Sequence, residues 1–277
     1  MVTLNNTISL LNHNIAGEGD VTLLFVHGAF IDQGYWNAQV EYFKKQFRVI
    51  SIDLAGHGKS SANMKDGSIQ AMGEDLVEFI NKMELSNIIL IGHSLGGDVI
   101  LEAATRIHEK IIGFIGIDNF KNAGTALPEE IQKQSDLIIK SLKEDFSNTS
   151  EAFARQALLT ASTDSEIRQR LINDYRNFNK EWGVKIISSS FSYYLREREL
   201  LQQLTFKLYL INVDYFPMNE APLKIYPKSG YEVFNIHGSC HYPMIEVPSE
   251  FNLILYKIIK IIVNHKKIIS TAGIQEI

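Results

Sequence analysis

One stretch limits what this chain can fold into: Ile88-Ile89-Leu90-Ile91-Gly92-His93-Ser94-Leu95-Gly96-Gly97. Four apolar residues run directly into Gly-x-Ser-x-Gly. An amphipathic stretch follows, through Val99, Ala103 and Ile107. The pattern predicts a buried strand, a sharp turn and a helix. In such a turn a strained backbone pushes a serine hydroxyl out at the carboxyl end of the strand. Glycines at 92 and 96 suit it, because a side chain at either place would meet neighbouring backbone.

The surrounding pattern extends this unit into a sheet. Val21–Val26, Arg48–Leu54 and Ile111–Ile117 are further apolar runs of strand length. Helical periodicity lies between them at 36–46 and 69–83, the latter carrying Met72, Leu76, Ile80 and Met83. Alternation of this kind predicts an α/β fold, a mostly parallel sheet with helices on both faces. Residues 3–17 suggest an edge hairpin. From about 121 the pattern changes, with helices expected near 128–145, 150–159, 164–177 and 181–203 and no convincing strand. Phe206–Val213 and Tyr231–Ile236 then restore strands, and Pro248–Val263 closes with a helix. The expected organisation is a core of residues 1–120 and 204–265, a helical cap of 121–203 and a tail of 266–277.

The bulk numbers narrow the class. The chain has 277 residues and a formal net charge of −5, which gives no basic excess pointing to nucleic acid. Its single cysteine, Cys240, cannot form an internal disulfide. No apolar run reaches the about 18 residues a membrane span needs. No amino-terminal stretch reads as a signal peptide, so the expectation is a cytoplasmic protein without a membrane span.

A serine hydroxyl needs a general base, and the base needs an orienting acid. Among eight histidines, His241 lies in the loop after the last strand, just before the closing helix. His237 is nearer the strand and reads as structural, while His93 adjoins Ser94 and points away from it. Two aspartates end strands between Ser94 and His241. Asp214 follows Leu208–Val213 and is the favoured acid; Asp118 follows Ile111–Ile117 and is its rival. Asp53 ends a strand before the serine and is assigned to fixing the Gly56-His57-Gly58 turn. Backbone N–H groups of Leu95 and Ala29, with Phe30 as the alternative, are placed to hold an oxyanion. No paired-ligand spacing suggests a metal, and no cofactor is implied.

The pieces His27-Gly28-Ala29-Phe30 with Trp36, Asp53-Leu54-Ala55-Gly56-His57-Gly58-Lys59-Ser60, Gly92-His93-Ser94-Leu95-Gly96-Gly97 and His241-Tyr242-Pro243-Met244-Ile245-Glu246-Val247-Pro248 together resemble the α/β-hydrolase superfamily, in particular its members with an inserted helical cap. The resemblance covers residues 1 to about 265 and matches 121–203 poorly. It departs from the usual pattern in two places. Asp214 stands three residues ahead of Pro217, and Cys240 stands where a glycine usually precedes the histidine.

The resemblance implies a serine hydrolase acting on a carboxylic ester or thioester of small to medium size, through Ser94, Asp214 and His241. Similar epoxide and haloalkane hydrolases carry aspartate in place of Ser94, and Ala29-Phe30-Ile31 does not match the iminopeptidase or C–C hydrolase turns. The alternatives are a slow-turnover ligand sensor, or a lyase or perhydrolase using the same serine. Candidate pocket residues are Phe30, Trp36, His93, Phe153, Trp182, Phe191, Tyr194 and Phe216. Arg196 and Arg198, alternating with Glu197 and Glu199, read as a solvated helix face. The partner is a small ester-type molecule, and the sequence leaves the oligomeric state open.

Overall fold

The computed structural model describes residues 11–60 and 67–272. Seven strands form one sheet: β1 (His13–Ala16), β2 (Thr22–Val26), β3 (Arg48–Ile52), β4 (Ile88–His93), β5 (Ile111–Ile117), β6 (Leu208–Val213) and β7 (Tyr231–Ile236). Their order is β1-β3-β2-β4-β5-β6-β7. Only β1 runs antiparallel, pairing His13 with Ile52; every other neighbouring pair is parallel. β2 and β4 are buried along their whole length, as a strand covered on both faces must be. The expected hairpin over 3–17 is not formed within the described part: 13–16 is one strand paired with β3, and residues 3–10 lie outside the described residues.

The helices are α1 (Asn37–Phe43), α2 (Ile69–Lys82), α3 (Leu95–Arg106), α4 (Glu129–Glu144), α5 (Phe146–Phe153), α6 (Ser165–Asn177), α7 (Lys180–Ser192), α8 (Tyr194–Gln203), α9 (Pro243–Glu246) and α10 (Pro248–Ala272). α2 and α3 pack together on one face of the sheet, while α1 and α10 pack together on the other. Ser68 caps α2, its hydroxyl accepting from the Ala71 N–H. The apolar positions Ile69, Met72, Leu76, Phe79 and Ile80 face inward from it. α10 continues nine residues beyond the expected end at Val263, so the polar run from Asn264 to Lys267 is helix rather than tail. Among the described residues no helix is long and apolar enough to cross a membrane.

Between β5 and β6 the described chain is helical. α4 and α5 touch, α5 packs on α6, and α4 on α7. α8 lies against α3, and here one expectation is corrected. Arg196 is not simply a solvated charge: its half-exposed guanidinium donates to the fully buried carboxylate of Glu102 on α3 at 3.0 and 3.1 Å. Arg198 donates to the Gly124 carbonyl at 2.8 Å. Glu197 is turned inward, where its carboxylate accepts from the Gly124 N–H. The alternating charges read as a surface pattern because nothing local in the sequence reveals the buried Glu102 opposite.

Candidate active site

The turn after β4 has the strained geometry that the sequence predicts. Ser94 sits at φ 51° and ψ −124°, with α3 starting at the next residue. The chain can turn this tightly because a Cβ on Gly92 would lie 2.3 Å from the Gly96 carbonyl oxygen, and one on Gly96 would lie 2.5 Å from that of His27. Ser94 is therefore locked between β2 and β4, with its N–H donating to the Ile117 carbonyl at 3.0 Å. Asn119 adds a second support, its amide donating to the Ser94 carbonyl at 2.7 Å.

Positive φ in non-glycine residues collects at this edge. Phe30, Ser94, Asp118 and Phe120 take φ of 65°, 51°, 44° and 55° at the ends of β2, β4 and β5. Such conformations cost about 1–3 kcal/mol each and persist where surrounding structure holds them. The turn after β2 passes directly over the serine, since a Cβ on Gly28 would be 3.1 Å from Ser94 Cβ. This brings Ala29 and Phe30 beside Ser94. Leu95 begins α3, so its N–H is one of the groups without an acceptor inside the helix.

His241 is buried, and its Nδ1 lies 2.5 Å from Asp118 Oδ2. Asp118 is held from other sides as well. Its Oδ1 accepts from the Val213 N–H at 3.1 Å and lies 2.7 Å from Lys121 Nζ. Burial works to raise the Asp118 carboxyl, but the hydrogen bond and charge of His241 and the charge of Lys121 outweigh it, leaving it below the usual range. With Nδ1–H donating to a carboxylate, the imidazole lone pair is on Nε2. The ring stacks obliquely on that of His93, centroids 4.6 Å apart.

Asp214, the favoured acid, does not meet His241. Its carboxylate, 48% exposed, binds Nδ1 of His237, 77% exposed, at 2.9 Å and the Gly238 N–H at 3.0 Å. The hydrogen bonds from His237 and Gly238 draw the Asp214 carboxyl below its ordinary value. The next residue turns inward instead, placing the Tyr215 hydroxyl 3.2 Å from His241 Nδ1. Both aspartates stand one residue beyond a strand, so chain order cannot separate them. Tyr215 and Lys121 are the residues that sequence reasoning missed. Lys121 carried one signal, its position three residues after Asp118.

The other histidines divide as their surroundings dictate. His27 bridges two turns, its Nδ1 on the Gly28 carbonyl at 2.7 Å and its Nε2 accepting from the Leu54 N–H at 3.0 Å. Burial lowers its pKa; burial and neighbouring His27 push His57 down to about 3. His93 donates from Nε2 to the His241 carbonyl at 2.8 Å, so it supports the backbone of that loop. Burial and the adjacent His241 drive its pKa well down. Asp53 holds its turn, accepting from the N–H groups of Gln33 and Lys59 at 2.8 Å each. Cys240 is buried, and burial pushes its thiol up to about 12, far from a reactive thiolate.

Of the pocket candidates, Trp36 is fully buried, its ring against those of Phe25 and Phe251. It was expected at the sheet edge, but the turn of 33–36 folds its indole into the core. Phe30 and Phe153 line a small apolar cavity of ≈10 Å³ with Ile138, Leu142, Ser150 and Ile187. Phe30 also stacks on Phe178 at 4.6 Å and meets Phe146 and Tyr175 edge-on. On its other side an open cleft of ≈330 Å³ runs past Asp32, Gly58, Asn173, Asp174 and Phe178. Trp182 packs beside Gly67 with Lys185 Nζ 4.9 Å from its ring. Phe191 and Tyr194 are half-buried on α7 and α8, and Phe216 is 57% exposed. Among the described residues no cluster of three or more His, Cys, Asp or Glu side chains is arranged to hold a metal ion.

Comparison with known proteins agrees with this architecture. The model for the alpha/beta hydrolase fold matches residues 21–168, more than half of the chain. A curated relative, (E)-2-((N-methylformamido)methylene)succinate hydrolase of Acinetobacter baylyi, is 36% identical over 98 residues, 34% of this chain and 37% of that protein. The matched stretch spans between 24% and 37% of the first curated relatives. Among solved structures, a thermophilic esterase from Thermogutta terrifontis superposes with a TM-score of 0.78 at 20% identity, covering 91% of this chain and 93% of that one. The esterase from Exiguobacterium antarcticum gives 0.77 at 17% identity, covering 90% and 95%. At such identities these likenesses bear on the fold.

Proposed function

This chain belongs to the alpha/beta hydrolase fold family, and from that premise we propose that it is a serine hydrolase cleaving a carboxylic ester or thioester with a small apolar acyl group, through Ser94, His241 and Asp118. The observation that carries the reading is the strained Ser94 turn in the same buried site as an Asp118–His241 pair at 2.5 Å. Ser94 Oγ attacks the acyl carbonyl while its proton passes to His241 Nε2. Asp118 keeps the other ring proton on Nδ1 and stabilises the imidazolium that forms. The Leu95 N–H and an N–H of the Ala29–Phe30 turn hold the oxyanion. His241 returns its proton to the leaving alcohol or thiol, then activates a water that releases the acid and frees Ser94.

We take the acyl group to be short from Phe30, which belongs to the turn beside Ser94, is 3% exposed and lines a cavity with room for little more than a water. The hydrolase name of the Acinetobacter relative is in keeping with a hydrolytic reaction.

The test is hydrolysis of p-nitrophenyl acetate, butyrate and octanoate, with a fluorophosphonate to label the nucleophile. The expected result is turnover falling with chain length, a mass increment on the Ser94 peptide, and loss of both in Ser94→Ala. Absence of turnover and labelling in the folded wild-type protein overturns the reading, and leaves a binding role for the same site.

A further inference from the structure

Asp118 is not only the partner of His241. Lys121 Nζ is 2.7 Å from its Oδ1, donates to the Val213 carbonyl at 2.9 Å and sits 4.4 Å from the centroid of the Tyr215 ring. The lysine side chain is 11% exposed and that of Asp118 1%, so the pair is shielded from solvent. The Tyr215 hydroxyl completes the arrangement at 3.2 Å from His241 Nδ1. Since Nδ1 spends its proton on Asp118, the phenol donates to the same carboxylate, and burial with the nearby Asp118 charge holds that phenol neutral. Four donors therefore converge on one carboxylate: Val213 N–H, Lys121, His241 and Tyr215.

We infer that Lys121 is a positioning and charge-tuning residue for the site. Held in place by Tyr215, it offsets the negative charge that Asp118 presents to the His241 ring, so that the proposed hydrolysis extends to lower pH than a bare Asp–His pair allows. The inference rests on the Ser94–His241–Asp118 reading above. Its physical basis is the sign of the charges. A carboxylate beside an imidazole favours the imidazolium, and a cation fixed on the far side of that carboxylate opposes it. Low exposure limits screening by water and salt.

The remaining groups around His241 leave Lys121 as the cation in this set. His93, from β4, is kept neutral by burial. Tyr242 and, through it, Tyr175 of α6 are buried phenols hydrogen-bonded to each other at 2.9 Å. Cys240 is a protonated thiol, and Glu246 is occupied by the Ser239 hydroxyl at 2.7 Å and by the Cys240 N–H. Asp214 and His237 from the β6 and β7 loops pair with each other at the surface. Asn119 and Asn219 border the Lys121 segment as neutral amides, with the Asn219 N–H on the Lys121 carbonyl.

The test is the pH dependence of kcat/KM on p-nitrophenyl acetate from pH 4.5 to 9, for wild type, Lys121→Met, Lys121→Arg and Tyr215→Phe. The expected result for Lys121→Met is an acid limb moved about one pH unit upward, with a plateau within about tenfold of wild type. Lys121→Arg keeps the limb near its wild-type position. Tyr215→Phe keeps the ring under Nζ but loses one donor, and moves the limb upward by less. A Lys121→Met limb that is unmoved or moves downward overturns the inference. So does an equal collapse of the plateau in the Met and Arg variants, which marks a packing role. Should Lys121→Met not fold, Lys121→Gln is read by the same criteria. A wild-type profile without an acid limb, or full activity in His241→Ala, instead defeats the triad reading, so the two failures are distinct.

Discussion

Replacing Asp118 by asparagine is expected to remove nearly all hydrolysis, for a reason that the surroundings of the carboxylate make specific. Asparagine is the same size, so packing survives. Its amide has one oxygen and one NH2, while the carboxylate now accepts on both sides. On the Oδ1 side stand two donors, the Val213 N–H at 3.1 Å and Lys121 Nζ at 2.7 Å. The amide oxygen must face them, because an NH2 there would meet two further donors. That orientation points the NH2 at His241 Nδ1, which then has to be the unprotonated nitrogen. The imidazole proton moves to Nε2, and the ring presents Ser94 with a donor where a base is needed. A wrong tautomer of this kind costs about four decades in kcat, or about 5.4 kcal/mol of barrier.

Asp214→Asn is the matched control, because that carboxylate meets the exposed His237 and the Gly238 N–H rather than His241, and its kcat is expected to stay within about twofold of wild type. The assay is kcat on p-nitrophenyl acetate at pH 8, with circular dichroism and thermal melts to confirm folding. A folded Asp118→Asn variant retaining more than a tenth of wild-type kcat, or an Asp214→Asn variant losing three or more decades, refutes the reasoning.

Two further expectations concern stability against pH. His27, His57 and His93 are buried with pKa values lowered by burial. The unfolded chain therefore binds more protons once pH drops below about 6.5. The stability they contribute is present above that pH and is lost as pH falls, at up to about 1.4 kcal/mol per unit for each histidine; urea midpoints should drop steeply between pH 7 and 5, and a flat dependence would refute it. Asp98 and Glu197 are a carboxyl pair turned inward between α3 and α8, both raised chiefly by burial, with their mutual charge adding to the rise at Asp98. A raised carboxyl contributes stability below its unfolded value near 4, which is lost as pH rises through its folded value. Asp98→Asn should accordingly raise Tm at pH 8 more than at pH 5, and a lower Tm at pH 8 would count against a protonated pair.

The sheet was legible because its central strands are built on apolar runs, Leu23–Val26, Ile88–Ile91 and Ile111–Ile117, and the turns after β2, β3 and β4 carry glycine. Strands read as Ile111–Ile117 and Tyr231–Ile236 have those bounds in the structure. Helix ends were less legible. The helix expected over 181–203 is divided between α7 and α8 at Tyr193. Tyr193 there buries its ring, with its hydroxyl on Glu102 at 3.0 Å, a tertiary contact without any local signature. α10 outruns its apolar period for a similar reason. Nothing in Asn264-His265-Lys266-Lys267 stops a helix, since the segment has neither glycine nor proline.

The acid shows where chain order stops being informative. β5 lies beside β4, which carries Ser94, while β6 is one strand farther out. An acid on β5 thus stands about 4.8 Å nearer the serine than one on β6. The His241 loop must then reach inward past the end of β6. It is held there by the His93 ring on the His241 carbonyl at 2.8 Å and by the His241 N–H on the Leu158 carbonyl at 3.0 Å. In the proposed triad the acid comes from β5, which releases the residue after β6 from that task, and Asp214 lies at the surface. The space it leaves is taken by Tyr215, whose ring covers Lys121 and whose hydroxyl reaches the Asp118–His241 pair. Lys121 meets the carboxylate because Asp118 is three residues away on the same turn. Moving the carboxylate one strand inward therefore brings a cation and a phenol with it, and the site differs from a bare Asp–His pair in charge as well as position.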